Sequence, residues 1–438
     1  DSSKRDQAIN LLGRMGTDAT DAVEALIARH NESETEEQKK IRQALVDMGP
    51  ASIKGILESS INRPLEQLNK SIWQAECLGQ IGIQAVPQLT EGIKNTPSDN
   101  EGLLALIALE KIGDKSLNTQ SAILPLLIHE EAAFRGVALK ALVASASKPQ
   151  LLMPRLQSAM TDPSPLVRQA AMDALASLGA TAKGATAAMI KSLNDKDSAV
   201  QLSAIRAIGK LNSEDADLAE RLVQFLNGAN SQTRLAVVTS LGGFRQLPNS
   251  AVNNLVEVLK IEDAETQSAV FKALSKLGES ARPALPALTK ALTHQNASVR
   301  AAALNALAKV ETDKSKLLNA LQSKLEDGES SVRHAAISEL GNLGSDARPA
   351  GKSLFARFET TEDRQVTMDA LRQIRVRDVD LYISILHNEE PLVRFFACQA
   401  IRRAGKKARS AEPALTKLKD DSYDFVRREA RRALEAIR

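Results

Sequence analysis

The side chains that could do chemistry are few, and their spacing does not assemble them. The five histidines are His30, His129, His294, His334 and His387. None has another histidine four residues on, the helical spacing that aims two imidazoles at one zinc ion. His129-Glu130 is the only His-Glu dipeptide. An iron site needs several convergent ligands, so His129 reads as a polar turn residue. Cys77 and Cys398 stand far apart and form neither a metal pattern nor a disulfide framework. Cys398 follows Phe395 and Phe396 and reads as a small apolar residue of a core or groove. No Ser-His-Asp or Cys-His arrangement is suggested, and there is no glycine-rich phosphate loop. Gly242-Gly243 falls near the end of a helical pattern, where it loosens packing or ends the helix. The expectation is a protein that is not an enzyme and needs no metal or cofactor.

What the sequence positions with regularity is something else. In Pro165–Gly179, Arg168 opens a stretch whose apolar residues Ala171, Ala174, Leu175 and Leu178 recur at helical spacing. Steps of 33 residues from Arg168 reach Gln201, Arg234, Gln267, Arg300 and Arg333. Each opens the same pattern, with pairs such as Ala207-Ile208, Ala273-Leu274, Ala306-Leu307 and Glu339-Leu340 six and seven places on. Two shorter steps reach Arg364 and Arg394, and a further 33 reaches Arg427. Backward steps give Arg135 and Gly102, then, with slips, Lys70, Lys39 and Arg5. About fourteen units tile the chain.

Each unit predicts two helices. The second carries the Arg at its start. A turn follows, commonly with Gly (Gly82, Gly113, Gly179, Gly278, Gly344), which suits a left-handed C-cap. The first helix of the next unit tolerates proline in its first turn, as at Pro87, Pro283 and Pro413. A polar turn such as Thr161–Ser164 or Asn194–Asp197 leads into the next second helix, with Asp and Ser capping it. One such pair cannot bury its own apolar face, so neighbours must stack. The motif Asp-x-x-x-x-Val-Arg-x-x-Ala-x-x-Ala-Leu, as in Asp162–Leu175, resembles the HEAT-repeat family, in particular the bacterial PBS-lyase HEAT-like repeats. Asp327–Leu340 keeps the spacing with Glu339 in place of the second Ala. The resemblance implies an all-α, right-handed solenoid, continuous over residues 1–438. It also implies that turn Asp and helix Arg pair along the stack, with interruptions at Gln201 and Gln267. The start at Asp1 rather than Met predicts a piece cut or processed from a longer chain.

Composition agrees with such a stack. Aromatic residues are 3% of 438, and charged residues 25% with a net charge of +3. This near-balance excludes a general affinity for nucleic acid or acidic membranes. No apolar run is long enough to span a bilayer. The chain is expected to be soluble, cytoplasmic or exported.

In such a solenoid the second helices line the concave face. The residues about five and nine places after the Arg position are then exposed. Those places give a polar, mildly basic groove, and the candidate contact residues are Arg206, Lys210, Lys272, Lys276, Lys309, Arg402, Arg403 and Arg432. Residues 391–438 carry thirteen lysines and arginines against six acids, a net of +7, which leaves −4 for the rest. The acidic run Glu32, Glu34, Glu36 and Glu37 reads as a solvated loop. The function expected is a non-catalytic scaffold for a protein partner. The alternative is nucleic acid or another anionic partner gripped by residues 391–438. A third reading, an enzyme of the bilin-lyase or metal-hydroxylase kind seen on such repeats, has no signature residues here.

Overall fold

The computed structural model describes residues 2–60, 72–95, 99–226, 230–260, 263–358, 362–374 and 378–438; the repeat position Lys70 lies outside them. Every regular element among these residues is an α-helix or a 3-10 helix. The chain forms two compact units, Asp1–Ser213 and Glu214–Arg438.

Fourteen second helices are found among the described residues, seven in each unit. In the first unit they are α1 (Ser2–Met15), α2 (Thr35–Asp47), α3 (Ile72–Ile81), α4 (Asn100–Ile112), α5 (Ala132–Ser145), α6 (Pro165–Leu178) and α7 (Ser198–Gly209). In the second they are α8 (Ser231–Leu241), α9 (Ala264–Leu277), α10 (Ala297–Val310), α11 (Ser330–Asn342), α12 (Arg364–Ile374), α13 (Pro391–Ala404) and α14 (Asp424–Ile437). The predicted stripe is the buried one: in α6, Ala171 and Leu175 are fully buried and Ala174 nearly so. Small alanines let neighbouring helices approach closely, while Leu, Ile and Val fill the layer between them. Within each unit, consecutive second helices pack directly against one another, less closely at α12 and α13, where Arg372 still lies over the Phe396 ring.

The first helices differ from expectation in an informative way. Five begin as a seven-residue 3-10 helix: Gly16–Ala22, Gly179–Ala185, Gly278–Ala284, Gly344–Ala350 and Gly405–Ala411. The opening glycine has positive φ in all five, and the last four share a further feature. At Gly179 the backbone is at φ 53°, ψ −131°, a region beyond the left-handed helix that a side chain resists. Residues three apart eclipse one another in a 3-10 helix. The pairs Ala182/Ala185, Ala281/Ala284, Ala347/Ala350 and Ala408/Ala411 therefore share one face, and all eight are fully buried. Pro283 lies inside such a 3-10 segment, and Pro286 takes the first turn of the helix Leu285–Ala291. Pro87 and Pro413 sit in first turns as expected.

Gly242 ends α8 in an ordinary helical conformation. Its role is proximity. A Cβ there would lie 2.8 Å from both Cα and Cβ of Ala273 in α9.

Candidate functional site

Where an arginine opens the repeat, it ties neighbouring turns together. Arg168 at the start of α6 sends Nε and Nη2 to the two carboxylate oxygens of Asp195, at 2.7 and 2.8 Å. Its Nη1 donates to the carbonyls of Asp162 and Pro163 in the turn just before it. One guanidinium thus ties its own turn to the turn of the next repeat. Its fork geometry suits this double task. Arg135 does the same with Asp162, Arg300 with Asp327 and Arg394 with Asp421. Arg333 reaches Asp363 and also Glu362, and Arg364 reaches Glu390. The acid is braced as well: Asp162, Asp195 and Asp421 each accept the backbone N–H two residues on. These aspartates therefore hold turns, while Asp197, Asn230 and Asn296 do the helix capping.

The electrostatics follow. Hydrogen bonding from Arg168 and Arg300 holds Asp195 and Asp327 below the usual carboxylate range. Burial pushes Asp162, Asp363 and Asp421 upward, but the arginine bonds and neighbouring charges together outweigh it, and they too are lowered.

Gln201 and Gln267 interrupt the ladder as expected. Gln201 still makes part of the arginine's contact, its Nε2 donating to the Asp195 carbonyl, while Gln267 Nε2 donates to the carbonyl of Leu259, further back in the chain.

With the turns held, the second helices present a repeating exposed face. Arg206, Lys210, Lys272, Lys276, Lys309, Arg402, Arg403 and Arg432 are all exposed. Lys272 and Lys276 line a groove of about 860 Å³ over α8, α9 and α10. Thr239 and Asn305, the equivalent positions on α8 and α10, line it too. The close approach at Gly242 sets its floor. Lys309 leans toward Glu339 at 3.6 Å. Arg402 and Arg432 behave differently. Both reach the carboxylate of Glu429, at 2.6 and 3.5 Å, and that side chain is 3% exposed. In the first unit the same face is mixed, with Lys140 3.5 Å from Asp173 and both lining a smaller recess with Glu110. Burial raises the Glu110 carboxyl above its ordinary value.

Comparison with known families fits this architecture. The family described as HEAT repeats matches residues 152–218, 219–308 and 285–375, together just over half of the chain. This chain belongs to the HEAT-repeat family. Among solved structures, one titled for Kap95p binding to RanGDP and nuclear import complex assembly has a TM-score of 0.54 and 13% identity, covering 99% of this chain and 67% of that one. An engineered protein is 20% identical over 95% of this chain and 98% of its own, with a TM-score of 0.37. No curated protein matches the chain. The fold is that of the all-α HEAT solenoids, which typically serve protein interaction.

Residues weighed for chemistry take structural places in this HEAT chain. His129 braces its turn, accepting the Glu131 N–H, and packs against Phe134. Cys77 and Cys398 are buried thiols, each pushed up to about 12 by burial. Among the described residues, no group of three or more His, Cys, Asp or Glu is placed to hold a metal ion. No helix among them is long and apolar enough to cross a membrane. Glu37 is not loop-borne. It sits in the first turn of α2, where Arg29 clasps it at 2.9 and 3.0 Å.

Two arginines escaped the sequence reading, Arg348 and Arg372. They meet Arg403 beside Tyr382 and Phe396. A signal was available: seven of the chain's twelve aromatic residues fall between Phe355 and Phe425.

Proposed function

We propose that this HEAT chain is a scaffold that binds a protein partner along the exposed face of its second helices. The groove over α8–α10 is its central contact. The groove itself supports this reading. Three successive repeats align Thr239, Lys272 and Asn305 along one channel, with Lys276 at its side. Its occupant is a polar segment, with acidic groups placed to meet Lys272 and Lys276. Small-residue flooring lets a peptide backbone approach, and the close packing of α8 on α9 at Gly242 keeps the channel preformed, which lowers the ordering cost of binding. The solved structure titled for Kap95p and RanGDP describes a protein partner for a chain of similar fold.

The rival reading, an anionic polymer gripped by residues 391–438, loses support at particular residues. Arg402 and Arg432 are committed to Glu429, Arg394 to Asp421, Arg427 and Arg428 to Asp424, and Arg438 to Glu412.

The test is photo-crosslinking from position 239 or 305 in the intact chain, with and without Lys272→Glu and Lys276→Glu. The scaffold reading expects a defined partner that is lost in the double charge reversal. A partner recovered equally by parent and variant removes the groove from the account.

A further inference from the structure

We propose that the opening between α12 and α13 is a binding pocket for a phosphate group. It uses different residues from the groove over α8–α10 and stands independently of the scaffold reading.

The opening is built in by sequence. Positions Arg333, Arg364 and Arg394 are spaced more tightly than the 33-residue repeat elsewhere. The first helix between α12 and α13 is only Val379–Ser384. Large rings cluster here: Phe355 meets Tyr382 at 5.4 Å, and Phe358 meets Phe396 at 5.4 Å, with Phe396 two residues after Arg394 where Ala170 and Ala302 stand in other repeats. These rings stand in the stack where α12 and α13 pack less closely than other neighbouring second helices of the unit. The space left measures about 680 Å³, within the range of small-ligand pockets.

Its polar lining is cationic. Arg348, Arg372, Arg403 and Lys407 line it, and among the described residues no carboxylate does. Asp369 lies 3.2 Å from Arg372 and offsets part of its charge, while Asp378 caps Val379–Ser384 by accepting the Leu381 N–H. Arg372 is also held over the Phe396 ring, 5.8 Å from its centroid. Arg348 Nε is buried and has no hydrogen-bond partner, an expensive state for a charged donor unless a ligand completes it. Arg403 and Lys407 lack ion-pair partners among the described residues.

Charge matching selects the ligand. A single carboxylate would leave most of this positive charge uncompensated. A phosphate monoester brings close to two charges and three acceptor oxygens near neutral pH. Guanidinium forks bind such oxygens in pairs. Tyr382 and Phe396 shield one side of the pocket from water, which strengthens the bonds made there.

The experiment is calorimetric titration of the intact chain at fixed ionic strength, with two probes. One is phenyl phosphate, standing for a free phosphorylated molecule. The other is a phosphoserine peptide, with its unphosphorylated twin as control. Saturable binding is expected for at least one, and the tighter probe identifies the source of the phosphate. Arg348→Gln with Arg403→Gln is expected to weaken it by roughly tenfold or more, the scale of charged hydrogen bonds. Lys407→Gln, on the exposed rim, gives a smaller loss and replaces the double variant if that variant does not fold. Lys94→Gln with Lys183→Gln, exposed and distant in sequence, should bind like the parent. The proposal is overturned if neither probe saturates, if the pocket variants bind like the parent, or if the distant pair weakens binding as much.

Discussion

At the scale of the residue, burial decides what an ion pair is worth. Arg168 and Asp195 are 8% and 11% exposed and share two hydrogen bonds. Removing one partner strands the other charge and two turn carbonyls. Arg168→Ala should therefore cost about 2–3 kcal/mol in urea unfolding, toward the lower end for breaking a buried pair. Lys309 is half exposed and 3.6 Å from Glu339. Lys309→Ala should cost no more than about 0.5 kcal/mol, as expected of surface pairs. If both variants shift the urea midpoint equally, the ladder has no special standing. The arginine positions were legible in the sequence, because a 33-residue step lands on them. The sharing of Glu429 between Arg402 and Arg432 was not, because three helix-surface charges give no hint of which one turns inward.

At the scale of the element, the glycines and glutamines carry the lesson. Gly242→Ala forces α8 away from Ala273 of α9, and overpacking of this kind costs about 1–3 kcal/mol. A thermal melt reads the loss, and crosslinking from position 239 reads any change in the groove. Gln201→Arg makes the opposite test. Sequence places Gly228 and His294 at 27 residues beyond Gln201 and Gln267, where other repeats carry the ladder's aspartate. Arginine and acid are thus absent together. An arginine at 201 would find its turn carbonyl but no carboxylate, so Gln201→Arg should not raise the melting temperature. A clear rise would show that the interruption is accidental. The 3-10 segments were missed because their signature, Gly-x-x-Ala-x-x-Ala, uses the same residues as a helix. Only the eclipsed burial of both alanines distinguishes them.

At the scale of the molecule, the ladder makes stability acid-sensitive. The folded-state values of Asp162, Asp195, Asp327, Asp363 and Asp421 are lowered. A group lowered on folding stabilises the fold above its unfolded value, about 3.9 for aspartate. That contribution disappears as pH falls through the folded value. The chain should lose stability steeply below about pH 4. Asp195→Asn with Asp327→Asn should be less stable than the parent near neutrality, and the gap should narrow as pH falls below that point. Chemical melts across a pH series check this. A constant gap would mean that the aspartates act through shape and not through charge.

The sequence by itself determined the repeat, the helix pair, the buried stripe and the positions of the ladder with its two interruptions. All of these are periodic, and a stack of like units forces each residue type to recur where the same neighbour recurs. Tertiary structure alone decided what the irregular residues do. The cluster of rings near α12 and α13, the unpartnered Nε of Arg348 and the inward turn of Glu429 depend on contacts between residues tens of positions apart. No periodicity registers such contacts. The candidate face was therefore readable as a list of exposed positions, while its division into a groove, a neutralised cluster and a cationic pocket was not.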